Sequence, residues 1–172
     1  MPGLKIHVLL VVLALLACNG QRELPAPPIS SSTVYAPVGE GMLADAQGGH
    51  VSLRKFAGRY LWVDFAAEWC AACVPQTLAV KSAATAAPAG ITFATIMTSE
   101  RGGYGHPATR ITARDWAQRY GLAPDRVLAT DLSAMTLPRN ILYGPDGRVV
   151  FDRTGEMRAD EVLAVIGKNV GQ

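Results

Sequence analysis

Two cysteines separated by two residues are the part of this 172-residue sequence best suited to chemistry. Before them, Tyr60 to Phe65 is rich in β-branched and aromatic residues and predicts a buried strand. After it, an alanine-rich helix is expected from about Cys70 to Ala87. The free N–H groups and the dipole at a helix start favour a thiolate. We therefore expect disulfide exchange, with Cys70 as the exposed attacking thiol and Cys73, one turn deeper, as the resolving thiol.

The same cysteine spacing also occurs in zinc sites and in structural disulfides. Half of a zinc site has this spacing, but such a site needs four ligands. Apart from one histidine near the start, the chain has only His50 and His106, which are far apart. A purely structural disulfide would close a very small loop and remove little chain entropy. We expect no bound metal, and no cofactor other than the Cys70–Cys73 disulfide itself.

Asp64 interrupts the predicted strand between Val63 and Phe65. A strand-end carboxylate facing solvent would be the ordinary interpretation. An acid inside so apolar a segment favours a buried position instead, and buried carboxyls have raised pKa values that suit proton transfer.

The remaining pattern predicts a mixed α/β domain, because strands alternate with helices before a late hairpin. Thr112 and Asp115 suit a capped helix start, and 127–129 is a short extended segment. A glycine-containing loop at 99–110 is a candidate substrate-facing segment, with a solvated connection as the equal alternative. The other expected elements are a hairpin at 42–53, a strand at 91–98, a helix at 112–120, strands at 139–143 and 148–152, and a helix at 160–170.

The N-terminal residues predict an export signal and a tether. Lys5 precedes an apolar run that ends at Ala17 and is about half the length of a membrane-spanning helix. We expect residues 1–17 to be a signal peptide, 18–34 a proline- and serine-rich tether, and 35–172 the folded domain. A net charge of +2 with scattered basic residues gives no basis for nucleic-acid binding.

The segment Val-Asp-Phe-Ala-Ala-Glu-Trp-Cys-Ala-Ala-Cys at 63–73 resembles the active-site strand and helix of thioredoxin. The resemblance implies that Asp64 relays a proton for the inner cysteine and that Trp69 packs beneath the nucleophile's loop. It also implies that Pro138 is a cis-proline opposite the cysteines. The backbone of Leu137 would then pair with an extended substrate segment.

Residues 35–172 as a whole resemble the TlpA/ResA-like membrane-anchored thiol-disulfide oxidoreductases. The resemblance implies a thioredoxin fold with a central mixed sheet, flanking helices and an N-terminal β-hairpin extension. Leu-Leu-Ala-Cys at 15–18 resembles a bacterial lipobox, which implies acylation of Cys18. Four features depart from the family pattern: Ala71-Ala72 between the cysteines, Pro75 in the first helical turn, no lysine in 91–98, and Arg139 after the proline.

The function implied is a periplasmic or cell-surface, lipid-anchored reductase of protein disulfides, monomeric and re-reduced by a membrane electron donor. Three alternatives remain open at this point. They are a disulfide oxidase or isomerase, a copper-handling chaperone of the same fold with His106 as its histidine, and a non-catalytic binding lipoprotein.

Overall fold

The computed structural model describes residues 34–170, so the predicted signal peptide, Cys18 and all but the last residue of the predicted tether lie outside the described residues. The strands and helices are β1 Met42–Asp45, β2 His50–Ser52, β3 Tyr60–Ala67, α1 Cys73–Ala86, β4 Ile91–Ser99, α2 Arg110–Tyr120, β5 Val127–Ala129, β6 Arg139–Tyr143, β7 Val149–Thr154 and α3 Ala159–Asn169.

Seven strands form one mixed sheet in the order β2-β1-β5-β4-β3-β6-β7. The three central strands β3, β4 and β5 run parallel, and the pairs at both ends of the sheet are antiparallel. The mixed α/β prediction and its N-terminal hairpin are confirmed. The short segment 127–129 forms strand β5, which pairs with β1 on one side and β4 on the other. It therefore joins the hairpin to the rest of the sheet.

All three helices pack on one face of the sheet. The units β3–α1–β4 and β4–α2–β5 step in the same direction, so right-handed crossovers place α1 and α2 on the same side. α3 packs against α1. The buried sheet residues on this helix face are Trp62, Asp64, Ala66, Thr95, Met97, Val127, Ala129, Asn140 and Leu142.

The opposite face of the sheet carries an apolar cluster on its central strands. Its residues are Leu61, Val63, Phe65, Ala94, Ile96, Leu128, Ile141 and Tyr143. Tyr35 and a short 3-10 turn at Leu53–Phe56 pack against them. Each central strand is therefore buried on both sides, which explains why the sequence of β3 has no polar-apolar alternation.

Helix α2 begins at Arg110, two residues before the predicted start, and its N-cap is three residues before Thr112. Thr109 is the N-cap residue, since its side chain accepts a hydrogen bond from the Thr112 amide. Thr112 bonds back to the Thr109 amide, so it is the third residue of a capping box. Gly121 ends the helix in the left-handed conformation, with φ of 59°, where glycine is least strained.

Candidate functional site

A disulfide joins Cys70 to Cys73 at the junction of β3 and α1, with the two Cα atoms 5.3 Å apart. Helix α1 begins at Cys73, not at Cys70 as predicted. Cys70 belongs to the preceding turn, in which the Cys70 amide donates to Ala67 and the Cys73 amide donates to the Cys70 carbonyl. The sulfur of Cys73 therefore stands at the first residue of the helix, where free amides and the dipole favour negative charge.

Pro75 fits this helix start without cost to the helical hydrogen bonds. It is the third residue of α1. The first four amides of a helix have no intrahelical acceptor, so the missing N–H of a proline removes no bond there.

The two cysteines differ in exposure, but less than predicted. Cys70 is only 6% exposed and Cys73 is fully buried. The prediction of an exposed Cys70 is therefore wrong, because apolar residues from the sheet, α1 and α2 surround the pair. The order remains as expected, since Cys70 is the outer thiol.

Asp64 is fully buried beneath α1, so the prediction of a buried acid is confirmed. The Thr77 hydroxyl donates a 2.7 Å hydrogen bond to Asp64 Oδ2. Because Thr77 lies one turn after Cys73 on the same side of α1, the carboxyl is close to the inner cysteine. Burial raises the pKa of Asp64 to about 7, and the bond from Thr77 offsets part of that rise.

Trp69 and the loop at 99–110 lie together beside the cysteines. Trp69 is 46% exposed, so about half of its side chain is covered. Its indole N–H donates a 2.7 Å hydrogen bond to Ser99 Oγ at the end of β4. Ser99 also forms an isolated bridge with Pro107, which closes the loop beside the site. Tyr104, in the same loop, is largely exposed.

Leu137 and Pro138 complete the surroundings of the pair. The Leu137–Pro138 peptide bond is cis. Leu137 is half-buried and packs against the apolar cluster that contains both cysteines. The pairing of β6 with β3 ends at Arg139, so Leu137 is not paired within the sheet.

Arg139, which departs from the family pattern, is held on the neighbouring strand. Its guanidinium makes two hydrogen bonds to the Asp152 carboxylate of β7, and this contact raises the pKa of Arg139. The Arg139 guanidinium is therefore held against Asp152 of strand β7.

A chain of buried polar side chains next to Asp64 was missed by the sequence analysis. Asn140 Oδ1 accepts hydrogen bonds from the Trp62 indole at 3.1 Å and from Gln76 Nε2 at 3.2 Å. Gln76 Oε1 in turn accepts one from the Met157 amide at 2.5 Å. The one available signal was that Asn140, like Asp64, interrupts an apolar strand.

Within the described part of the chain, no group of three His, Cys, Asp or Glu side chains converges as metal ligands would. His106 instead faces Glu100, with 3.8 Å between Nδ1 and Oε1. Among residues 34–170, no helix has the length and apolar character needed to cross a membrane. The chemical groups assembled here are a disulfide-bonded cysteine pair and a buried acid of raised pKa.

A comparison with protein-family profiles finds no match to this sequence, and a comparison with curated protein sequences finds none either. Solved structures do resemble it. MTB DsbF, in its mixed oxidised and reduced forms, is 17% identical with a TM-score of 0.61, covering 75% of this chain and 94% of its own. The exposed lipoprotein thioredoxin of Streptococcus pneumoniae is 19% identical with a TM-score of 0.57, covering 74% of this chain and 98% of its own.

A third similar structure is a thiol:disulfide interchange protein of the thioredoxin family from Chlorobium tepidum. It is 17% identical with a TM-score of 0.60, and the match covers 76% of this chain and 93% of that one. At these identities the likeness shows the fold. The chain has a thioredoxin fold.

Proposed function

We propose that this protein is a thiol-disulfide oxidoreductase that acts through Cys70 and Cys73. The observation that carries the proposal is the position of the pair: a disulfide at the start of α1, one helical turn from the threonine that bonds to a buried carboxyl. A structural crosslink has no need of a buried acid nearby. The similarity to solved thiol-disulfide oxidoreductases adds support from the fold alone.

The reduced protein would donate two electrons to a substrate disulfide in two exchanges. The Cys70 thiolate attacks one substrate sulfur, so the substrate S–S bond breaks, a mixed disulfide forms and the other substrate thiolate leaves. The Cys73 thiol then loses its proton and its sulfur attacks Cys70. The Cys70–Cys73 bond forms, and the second substrate thiolate leaves and takes up a proton.

Asp64 is the base we assign to the second exchange. Its carboxyl is bonded to Thr77, one helical turn after Cys73, which gives the resolving thiol a nearby proton acceptor. A carboxyl with a pKa of about 7 can both accept and release that proton near neutral pH. Leu137, unpaired beside the cysteines, would bind an extended substrate segment through its backbone, with Trp69 and Pro138 flanking it.

We propose reduction as the physiological direction, with a membrane protein restoring the dithiol. The residues between the cysteines are Ala71 and Ala72, whose side chains offer no hydrogen-bond donor to a Cys70 thiolate. Such a donor would stabilise the thiolate and thereby destabilise the disulfide form relative to the dithiol. Without it the disulfide form is not destabilised, which suits a reductant. Equilibration with a glutathione buffer measures the potential. A value near or above about −120 mV, the figure for a strong oxidant, would instead assign an oxidase.

We further propose that the protein is a monomer, anchored outside the cytoplasm by lipid on Cys18. The sequence before Cys18 supports this, as does the similarity to an exposed lipoprotein. Labelling cells with a radioactive fatty acid should mark the wild type and leave Cys18→Ala unlabelled. Equal labelling of both proteins would contradict the anchor.

Insulin reduction tests the exchange activity itself. With a thiol reductant present, the protein should accelerate precipitation of the insulin B chain, and Cys70→Ala should abolish that acceleration. If the wild type reduces insulin no faster than Cys70→Ala does, the protein is better assigned as a non-catalytic binding protein.

A further inference from the structure

Two buried polar atoms without a hydrogen-bond partner belong to neighbouring residues. Among the atoms of residues 34–170, Asp64 Oδ1 and Asn140 Nδ2 are both buried and unpartnered. Asp64 of β3 and Asn140 of β6 are directly paired in the antiparallel register. Paired residues extend their side chains to the same face, with Cβ atoms about 4.5–5.5 Å apart. Asp64 Oδ1, an acceptor without a donor, therefore lies on the residue next to Asn140 Nδ2, a donor without an acceptor.

The orientation of the Asn140 amide is fixed by donors that cannot be reversed. The Trp62 indole can only donate, so the Asn140 atom that it contacts is the oxygen. Gln76 is fixed in the same way, because the Met157 amide must donate to Gln76 Oε1 and leaves Nε2 facing Asn140. Asn140 Oδ1 accepts both of these hydrogen bonds, so the NH₂ group of Asn140 does not bond to Trp62 or Gln76.

We propose that Asn140 is a positioning residue for Asp64, whose Nδ2 donates a hydrogen bond to Asp64 Oδ1 when the carboxyl is ionised. The proposal rests on the proposed function, in which Asp64 takes the Cys73 proton. Thr77 already donates to Oδ2, so a bond at Oδ1 gives each carboxylate oxygen one donor. It also satisfies two buried atoms that would otherwise lose their bonds to water without replacement.

Among residues 34–170, the groups paired with or bonded to Asp64 are uncharged. They are Thr95 on β4, Asn140 on β6 and Thr77 on α1, with Cys73 one helical turn before Thr77. The raised pKa of Asp64 has burial as its cause, reduced by the bond from Thr77. A neutral donor at Asn140 is therefore the second group able to favour the ionised form.

The first test uses the unmodified protein with its disulfide intact, so that neither cysteine titrates. The side-chain amide signals of Asn140 and Gln76 are followed by NMR together with the Asp64 carboxyl carbon from pH 4 to 9. The Asn140 amide should shift with the same midpoint as Asp64, and that shift should vanish in Asp64→Asn. The Gln76 amide, bonded to the oxygen of the same asparagine, should show a much smaller change. An Asn140 amide that stays constant while Asp64 titrates would overturn the proposal.

A matched pair of variants supplies the second test. Asn140→Leu removes the donor and should raise the pKa of Asp64 by about one unit or more, the size expected for a hydrogen bond to a charged group. Gln76→Met disrupts the same buried chain without facing Asp64, and should leave that pKa nearly unchanged. Equal shifts in both variants would show a merely structural effect. Because the readout is a pKa, it stands whether or not the wild type reduces insulin.

Discussion

The two faces of β3 carry different kinds of residue. Leu61, Val63 and Phe65 face a large apolar cluster. Their neighbours Trp62 and Asp64 face α1, where buried amides and hydroxyls lie among the apolar side chains. One strand therefore contributes to the stability of the fold on one side and to the chemistry of the site on the other. The helix on this face makes this possible, because α1 brings Cys73 and Thr77, the residue that donates a hydrogen bond to Asp64.

The largest expected effect comes from breaking the apolar face. Phe65→Ala should lower the free energy of unfolding by about 3–5 kcal/mol, the range for large-to-small changes in a core. The pKa of Asp64, one residue away but on the other face, should not change. Urea denaturation and carboxyl NMR measure the two quantities. A loss below about 1 kcal/mol, or a shifted Asp64, would contradict this separation of the faces.

On the helix face, the stability of the protein should depend on pH through Asp64. Its pKa is about 7 in the folded protein and about 4 when unfolded, so folding favours the protonated form. The stabilisation is complete below pH 4 and is lost as the pH rises to 7, by about 4 kcal/mol at most. The difference in unfolding free energy between wild type and Asp64→Asn, measured from pH 4 to 8, should follow that curve. A difference independent of pH would disprove the assignment.

Asp64→Asn should also slow the second exchange. Loss of the base is expected to reduce the rate at which Cys73 resolves a mixed disulfide by about a hundredfold. Attack by Cys70 should keep its rate. In the wild type, resolution should accelerate as the pH rises through about 7, because the carboxylate is the proton acceptor. Stopped-flow kinetics with a fluorescent disulfide peptide separates the two steps, and equal slowing of both would contradict the role of Asp64.

The smallest expected effect is on the pKa of Asp64 in Thr77→Val. The variant keeps the shape of the side chain but removes the donor to Oδ2, so the pKa should rise by about one unit. Thr85→Val is the matched control on the same helix, since the Thr85 hydroxyl bonds to the Ser82 carbonyl instead. The control should leave the carboxyl carbon titration unchanged. An unchanged titration in Thr77→Val would show that burial alone sets the pKa.

The sequence predicted most of the fold because its strands are apolar runs and its turns carry glycine and proline. It placed Cys70 inside α1, whereas the structure has a turn there. A local sequence pattern does not distinguish a three-residue turn from the first three residues of a helix. It also left out Gln76 and Asn140. Their contact joins residues 64 positions apart, and only the register of β3 against β6 places Asn140 beside Asp64. Short-range periodicity carries no information about that register.

The most direct test of the central claim is the trapping of a mixed disulfide. Reduced Cys73→Ser is incubated with an oxidised peptide, and its intact mass is recorded beside that of Cys70→Ser. We expect a peptide adduct on Cys70 that persists in Cys73→Ser, because the resolving sulfur is missing. Cys70→Ser should stay unmodified, since Cys73 is fully buried. No adduct on Cys70, or equal adducts on both variants, would contradict the exchange mechanism.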